Sequence, residues 1–267
     1  MILPVRGPAL LFCPADRPER YAKALERADA VILDLEDAVA PADKGRARAA
    51  LVSTPLDPQR TIVRVNAVGT DDHERDLEAL ARTDYRNVML PKATDARALT
   101  PWRVIALIET AAGVLAAESL AASPHVVALM WGAEDLIASL GGSSSRHSDG
   151  RYRDVVVHAR ARVLLAARAF GIAAIDAVHI DIADVDGLAS EARDAAAQGF
   201  SATACIHPSQ VATIRAAYRP DAGELAAAHA VLAAAEGRAG VFTHEGRMVD
   251  EPLLRHARRL VERAGEA

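Results

Sequence analysis

The chain has little cysteine, little lysine, no excess of positive charge and no long apolar run. Its two cysteines, Cys13 and Cys205, both fall in predicted strands and fit no metal-ligand spacing, which leaves small buried hydrophobes and no sign of an oxidising compartment. Acids outnumber bases, 36 to 31, for a net charge of −5, so nothing here forms the basic footprint of a nucleic-acid or anionic-membrane binder. No apolar stretch reaches the ~20 residues of a membrane span, and the N-terminus lacks a leader's apolar core of ~7–15 residues, so the expected location is the cytoplasm. GxGxxG, P-loop, HExxH and GxSxG motifs are all absent, which leaves dinucleotide-fold, zinc-protease and serine-hydrolase readings without support. Only Lys23, Lys44 and Lys92 stand against 28 arginines.

What the chain does have is alternation. Eight short β-branched, apolar runs, at residues 9–13, 30–35, 61–66, 87–91, 104–109, 126–131, 173–180 and 202–206, each stop at polar or charged residues and lead into helical patterns. Alternating strands and helices with short links predict right-handed βα units, and eight of them in 267 residues predict an α/β fold, the TIM (β/α)8 barrel. Residues 18–28 open with a first-turn proline and put Tyr21, Ala24, Leu25 and Ala28 on one face. Residues 152–170 carry a core stripe of Val155, Val156, Ala159, Val163, Leu164, Ala167 and Phe170. Residues 141–145, Gly-Gly-Ser-Ser-Ser, read as a flexible loop and a candidate lid. A barrel domain over 1–220 is expected to be followed by a helix–hairpin–helix extension over 221–267, with a turn at Gly246-Arg247, that docks on a neighbouring subunit of a homo-oligomer.

In such a barrel the C-terminal strand ends share one mouth, where catalysis takes place. Carboxylates dominate those ends. Glu109 closes the fifth strand and Asp135 follows the sixth, so the two reach one point, and two carboxylates with waters suit Mg²⁺. The alternative is that they pair with arginines or cap helices. Gly132 and Ala133 allow backbone N–H groups to approach an anion, or else form an ordinary strand-to-helix turn. Arg64 and Asn66 alternate on the third strand and point the same way; an inward arginine needs a carboxylate, and Asp34, Glu36 and Asp37 end the strand beside it. Lys92, closing the fourth strand, is placed like a Schiff-base nucleophile, which keeps a class I aldolase as a rival unless the nearby acids hold the amine charged. His179 and His207 read as satisfied mouth histidines.

Taken together, Asp34-Leu35-Glu36-Asp37, Arg64-Val65-Asn66, Leu90-Pro91-Lys92, Glu109-Thr110-Ala111, Gly132-Ala133-Glu134-Asp135-Leu136, Ile206-His207-Pro208-Ser209-Gln210 and Gly246-Arg247-Met248-Val249-Asp250 resemble the citrate lyase β-subunit family in order along nearly the whole chain. Within that superfamily, which includes malyl-CoA and citramalyl-CoA lyases, the chain is most similar to the stand-alone β-subunit-like proteins of actinobacteria. The resemblance implies an Mg²⁺-dependent lyase that cleaves or forms a 3-hydroxyacyl-CoA, such as citryl-, malyl- or citramalyl-CoA, to or from an acyl-CoA and a 2-oxo acid such as oxaloacetate. It implies that Glu109 and Asp135 hold the metal and that Arg64, Glu109, Gly132, Ala133 and Glu134 line the oxo-acid site. Glu36 and Asp37 would orient Arg64 and metal-bound water. Asp250 would act in proton transfer in an adjoining subunit, and Arg17, Arg20 and Lys23 would contact CoA phosphates. Asp16 departs from many members, which carry a small residue there. The implied assembly is a trimer or a dimer of trimers. Thioester hydrolysis, malate-synthase-like condensation on the same site, and a carrier-dependent subunit of a multi-chain lyase stand as alternatives.

Overall fold

The computed structural model describes residues 7–238 and 240–265. Residues 1–6, on which part of the leader reading falls, and the last two residues of the extension lie outside them. The chain divides into two compact units that part between Arg215 and Ala216.

In the first unit, β1 (Ala9–Pro14), β2 (Ala30–Asp34), β3 (Thr61–Arg64), β4 (Asn87–Leu90), β5 (Arg103–Ile108), β6 (Val126–Trp131), β7 (Ala173–Asp176) and β8 (Ala202–Cys205) pair in parallel and in chain order, and β8 closes onto β1. The helices between them are α1 (Tyr21–Arg27), α2 (Lys44–Ser53), α3 (Asp71–Leu80), α4 (Ala111–Leu115), α5 (Ala117–Ala121), α6 (Ala133–Ser139), α7 (Asp154–Ala169) and α8 (Val185–Gln198), with α9 (Gln210–Tyr218) after the last strand. The predicted barrel is present.

Alternate strand residues fill its interior. Leu10, Ala30, Ile32, Ile62, Met89, Ile105, Leu107, Ala128, Met130, Ala173, Ile175, Ala202 and Ala204 form one buried cluster. Burial of each large side chain among them contributes about 1.5–3 kcal/mol. The same period of two carries that inward set up to the mouth: beyond Ile32 comes Asp34, beyond Ile62 comes Arg64, beyond Leu107 comes Glu109, and beyond Met130 comes Gly132. The polar site is the uppermost layer of the core.

Several expectations need correction. β7 ends at Asp176, so His179 and Ile180 lie in the following loop, because pairing with β8 stops at Asp176 and Thr203. β3 ends at Arg64, which leaves Asn66 beyond the strand. On α7, Val156, Ala159, Val163, Ala166 and Ala167 are buried, while Val155 and Phe170 at the two ends are about half exposed. Residues 141–144 form an exposed loop, and Ser145 anchors its end: it is buried and its hydroxyl donates to Glu134 Oε1 at 2.6 Å.

In the second unit, α10 (Ala222–Ala235) and α11 (Glu251–Ala264) pack through Ala228, Ala257, Leu260 and Val261. Between them lies the hairpin of β9 (Phe242–His244) and β10 (Arg247–Val249). Its turn falls on Glu245 and Gly246, one residue earlier than expected, with φ of 49° and 75°, the left-handed pair that matches hairpin twist. No helix among the described residues is long and apolar enough to cross a membrane.

Candidate active site

β2 and β3 place Asp34 and Arg64 opposite each other in register. Arg64 Nε donates to Asp34 Oδ1 at 2.7 Å and Nη2 to Oδ2 at 2.5 Å, and its Nη1 lies 3.0 Å from Glu36 Oε2 and 3.7 Å from Asp37. The guanidinium also sits 5.0 Å above the Phe12 ring. Burial works against its charge, but Asp34, then Glu36 and Asp37, outweigh that and push its proton affinity above the ordinary arginine range. Arg64 is therefore a fixed cation with N–H groups still free for a substrate carboxylate.

Glu36 lies between two cations. Lys92 Nζ donates to its Oε1 at 2.5 Å, while Arg64 faces the other oxygen. Burial pushes the Glu36 carboxyl up, and Arg64 and Lys92 pull it back. For Lys92 burial opposes the charge, yet the Glu36 hydrogen bond and the charges of Glu36, Glu109 and Asp37 raise its proton affinity overall. A Schiff base requires a neutral amine, so this environment counts against the class I aldolase rival. Lys92 adopts φ of 51°, and its backbone N–H donates to Glu109 Oε1 at 2.9 Å.

Glu109 is buried and Asp135 half-buried in the first turn of α6. The Glu109 carboxyl is pushed up to about 7, first by burial and next by the charge of Asp135, with Glu36 adding to it. Asp135 makes no hydrogen bond or ion pair among the described residues, and no guanidinium pairs with either acid. Lys92 answers part of this charge, through its N–H and an ammonium 4.0 Å from Glu109 Oε1, and the two carboxylates, their repulsion only partly compensated, form an oxygen donor set that fits Mg²⁺, which takes one or two protein carboxylates and completes its shell with water and substrate. No cluster of three or more His, Cys, Asp or Glu suited to a metal occurs among the described residues, so the donor set stops at two. Gly132 is needed for closeness: a Cβ there would lie 3.0 Å from Glu109 Oε2 and 3.2 Å from Glu109 Cβ.

The remaining candidates are placed as follows. Ala133 is buried at the start of α6, beside Gly132. Glu134 is turned toward Ser145. Arg17, Arg20 and Lys23 are exposed on the loop after β1 and on α1. Asp16, in the same loop, is buried and held by Arg46 at 3.2 Å and Arg17 at 3.8 Å, so its charge is met within the protein. Asp250 lies in the second unit, where it caps α11 by accepting from Leu253 N–H at 3.2 Å. Asn66 does not join Arg64: its side chain meets Lys44, Leu35 O and Asp76. His179 is satisfied by Glu191 and Asp184, and His207 by Ser209.

Two roles escaped the sequence reading. Asp34, read as one acid of three, is the principal partner of Arg64; its place level with Arg64 on the adjoining strand is the signal that could have shown it. Lys92, read as a possible nucleophile, holds both Glu36 and Glu109.

Comparison with known proteins identifies the family. Residues 9–101 and 96–208 match the HpcH/HpaI aldolase/citrate lyase family. The citrate lyase subunit beta-like protein of Mycobacterium tuberculosis is 61% identical, covering 100% of this chain and 99% of that one. Human mitochondrial citramalyl-CoA lyase is 32% identical over 95% of this chain and 84% of its own. The crystal structure of M. tuberculosis CitE with magnesium, acetoacetate and coenzyme A superposes with a TM-score of 0.95 at 61% identity, over 99% of this chain and 100% of that chain. The chain belongs to the HpcH/HpaI aldolase/citrate lyase family.

Proposed function

We propose that the chain is an Mg²⁺-dependent carbon–carbon lyase that splits a 3-hydroxyacyl-CoA of the citryl, malyl or citramalyl type into an acyl-CoA and a 2-oxo acid, or runs the reverse. The observation that carries this reading is the presence, at one rim, of the partly compensated acids Glu109 and Asp135 and of the clamped cation Arg64. Glu109 and Asp135 would hold the ion, which when bound supplies Lewis-acid polarisation of the substrate oxygen, worth several kcal/mol.

The chain's own residues do the rest. Arg64, already oriented by Asp34 and Glu36, receives the oxo-acid carboxylate without reorganising, so its charge stabilises the transition state at little further cost. The Gly132 N–H is spent on Ile108 O at 3.1 Å, and the backbone N–H groups that open α6 from Ala133 onward share that carboxylate. Cleavage requires a base for the 3-hydroxyl; Asp250 of a neighbouring subunit takes that proton, a contribution of typically ~10²–10⁴-fold in rate. As the C2–C3 bond breaks, the hydroxyl carbon becomes the oxo-acid carbonyl and the electron pair passes to C2 as the thioester enolate, whose α-carbon then takes back a proton, balancing the one Asp250 removed, to give the acyl-CoA. Arg17, Arg20 and Lys23 lie exposed in the first loop and on α1, where they suit the CoA phosphates. The reading includes a cytoplasmic homo-oligomer, trimeric or a dimer of trimers, in which the unit from Ala216 onward docks on the next protomer.

Purified protein is incubated with citryl-, malyl- and citramalyl-CoA, with and without Mg²⁺, and the products are identified. Equimolar acyl-CoA and 2-oxo acid, formed only with the metal, supports the lyase. Free CoA with an intact hydroxy acid indicates thioester hydrolysis, and turnover only of carrier-bound acyl groups indicates a subunit of a multi-chain lyase.

A further inference from the structure

Lys44, at the start of α2, is buried, although neither the strand ends nor the acid pair involve it. Its ammonium makes no ion pair among the described residues. Instead it spends three hydrogen bonds on neutral oxygens: Leu35 O at 2.7 Å, Glu36 O at 2.8 Å and Asn66 Oδ1 at 2.7 Å. A buried ammonium without a carboxylate is costly, and full satisfaction of its three donors is what makes it tolerable. Three convergent acceptors suit a compact ammonium and not a planar guanidinium, which explains a lysine at this position in a chain that elsewhere uses arginine.

The acceptors form a path toward the site. Asn66 Nδ2 also donates to Leu35 O at 3.0 Å and to Asp76 Oδ2 at 2.6 Å, and Asn66 N–H donates to the same Asp76 oxygen at 2.8 Å. Asp76 is wholly buried and is held through Oδ1 by Arg48 at 3.0 Å, which reaches Asp72 as well. His73 Nδ1 lies 2.8 Å from Asn66 O. Thus α2 and α3 grip the peptide that links Leu35 to Glu36 from behind, while the Glu36 carboxylate faces Lys92 and Arg64 in front.

We propose that Lys44 is a positioning residue for the reaction: its ammonium, braced by Asn66 and Asp76, fixes the Leu35–Glu36 backbone so that the Glu36 carboxylate spans Arg64 and Lys92. This rests on the role given to Glu36 above. The site therefore depends on a second lysine outside the mouth, and the outer helices α2 and α3 reach the chemistry through it.

The test is a double-mutant cycle with a crystal structure beside it. Lys44→Met is expected to lower kcat by about 10²-fold, the cost of a misplacement near 1 Å, with KM for the CoA thioester changed by less than about twofold. In a Glu36→Gln background the same change is expected to cost less than about threefold, since the group it positions is already gone. In crystals of Lys44→Met the Glu36 carboxylate is expected to leave its place between Arg64 and Lys92. Equal losses in both backgrounds, or Glu36 unmoved in the crystal, overturn the proposal. If circular dichroism shows Lys44→Met unfolded, Asn66→Ala, which removes one acceptor and keeps the lysine, takes its place in the same cycle. Wild-type protein that turns over no thioester would count against the lyase reading, and the position of Glu36 in the variant crystal would still decide the role of Lys44.

Discussion

Asp34 and Arg64 face each other across adjoining strands and meet side-on, Nε to Oδ1 at 2.7 Å and Nη2 to Oδ2 at 2.5 Å. Both are buried, and Asp34 also receives the backbone N–H of Glu36 at 2.9 Å and of Ala38 at 3.1 Å, so one carboxylate orders the cation and the loop that flanks it. Asp34→Ala strands a buried guanidinium and is expected to cost about 3–5 kcal/mol of folding free energy. Chemical denaturation measures it, and a loss below about 1 kcal/mol would mean that Arg64 finds another partner.

Gly132 lies where the sixth strand hands over to α6, with φ of −131°, a conformation any residue can adopt. Space rather than backbone freedom demands glycine, since a Cβ would crowd Glu109. Gly132→Ala is expected to leave the protein folded and to weaken Mg²⁺ binding by about tenfold or more, because crowding of about 1–3 kcal/mol falls on a carboxylate proposed to hold the ion. Calorimetric titration of the variant with Mg²⁺ tests this, and unchanged affinity would show that Glu109 does not hold the ion.

In metal-free protein the Glu109 carboxyl titrates near 7, raised by burial and by Asp135. A folded value above the unfolded ~4.3 means that the group stabilises the metal-free fold most fully below pH ~4.3 and loses that contribution as pH rises through 7. Mg²⁺ requires the ionised form, so the signs oppose each other: below pH 7 each ion bound releases a proton, and affinity falls toward tenfold per pH unit. Calorimetry at pH 6 in buffers of different ionisation enthalpy measures the released proton. No proton released at pH 6 would contradict the assignment.

Much of this was readable in the sequence because strands obey a period of two. Ile32 to Asp34, Ile62 to Arg64 and Leu107 to Glu109 each continue an inward set, so the polar residue at the end of each run predicts a place at the mouth. The rule failed once the strand had ended. Asn66 shares parity with Arg64, yet β3 stops before it and the side chain turns to Asp76 on α3, a partner ten residues away that no local pattern announces. Run length misled in β7, where the alternation continues to Ile180 but pairing ends at Asp176, whose side chain is taken by Arg160 and Trp131. Lys44 looks like any exposed helix lysine in sequence; its burial depends on three acceptors contributed by two other segments.

The most direct measurement of the central claim is anomalous scattering from crystals soaked in Mn²⁺, which favours the same oxygen ligands as Mg²⁺. A single strong peak bridging Glu109 and Asp135, absent from Glu109→Gln and Asp135→Asn crystals, is the predicted result. Saturated crystals with no peak between those two carboxylates, or with a peak that survives both substitutions, would contradict it.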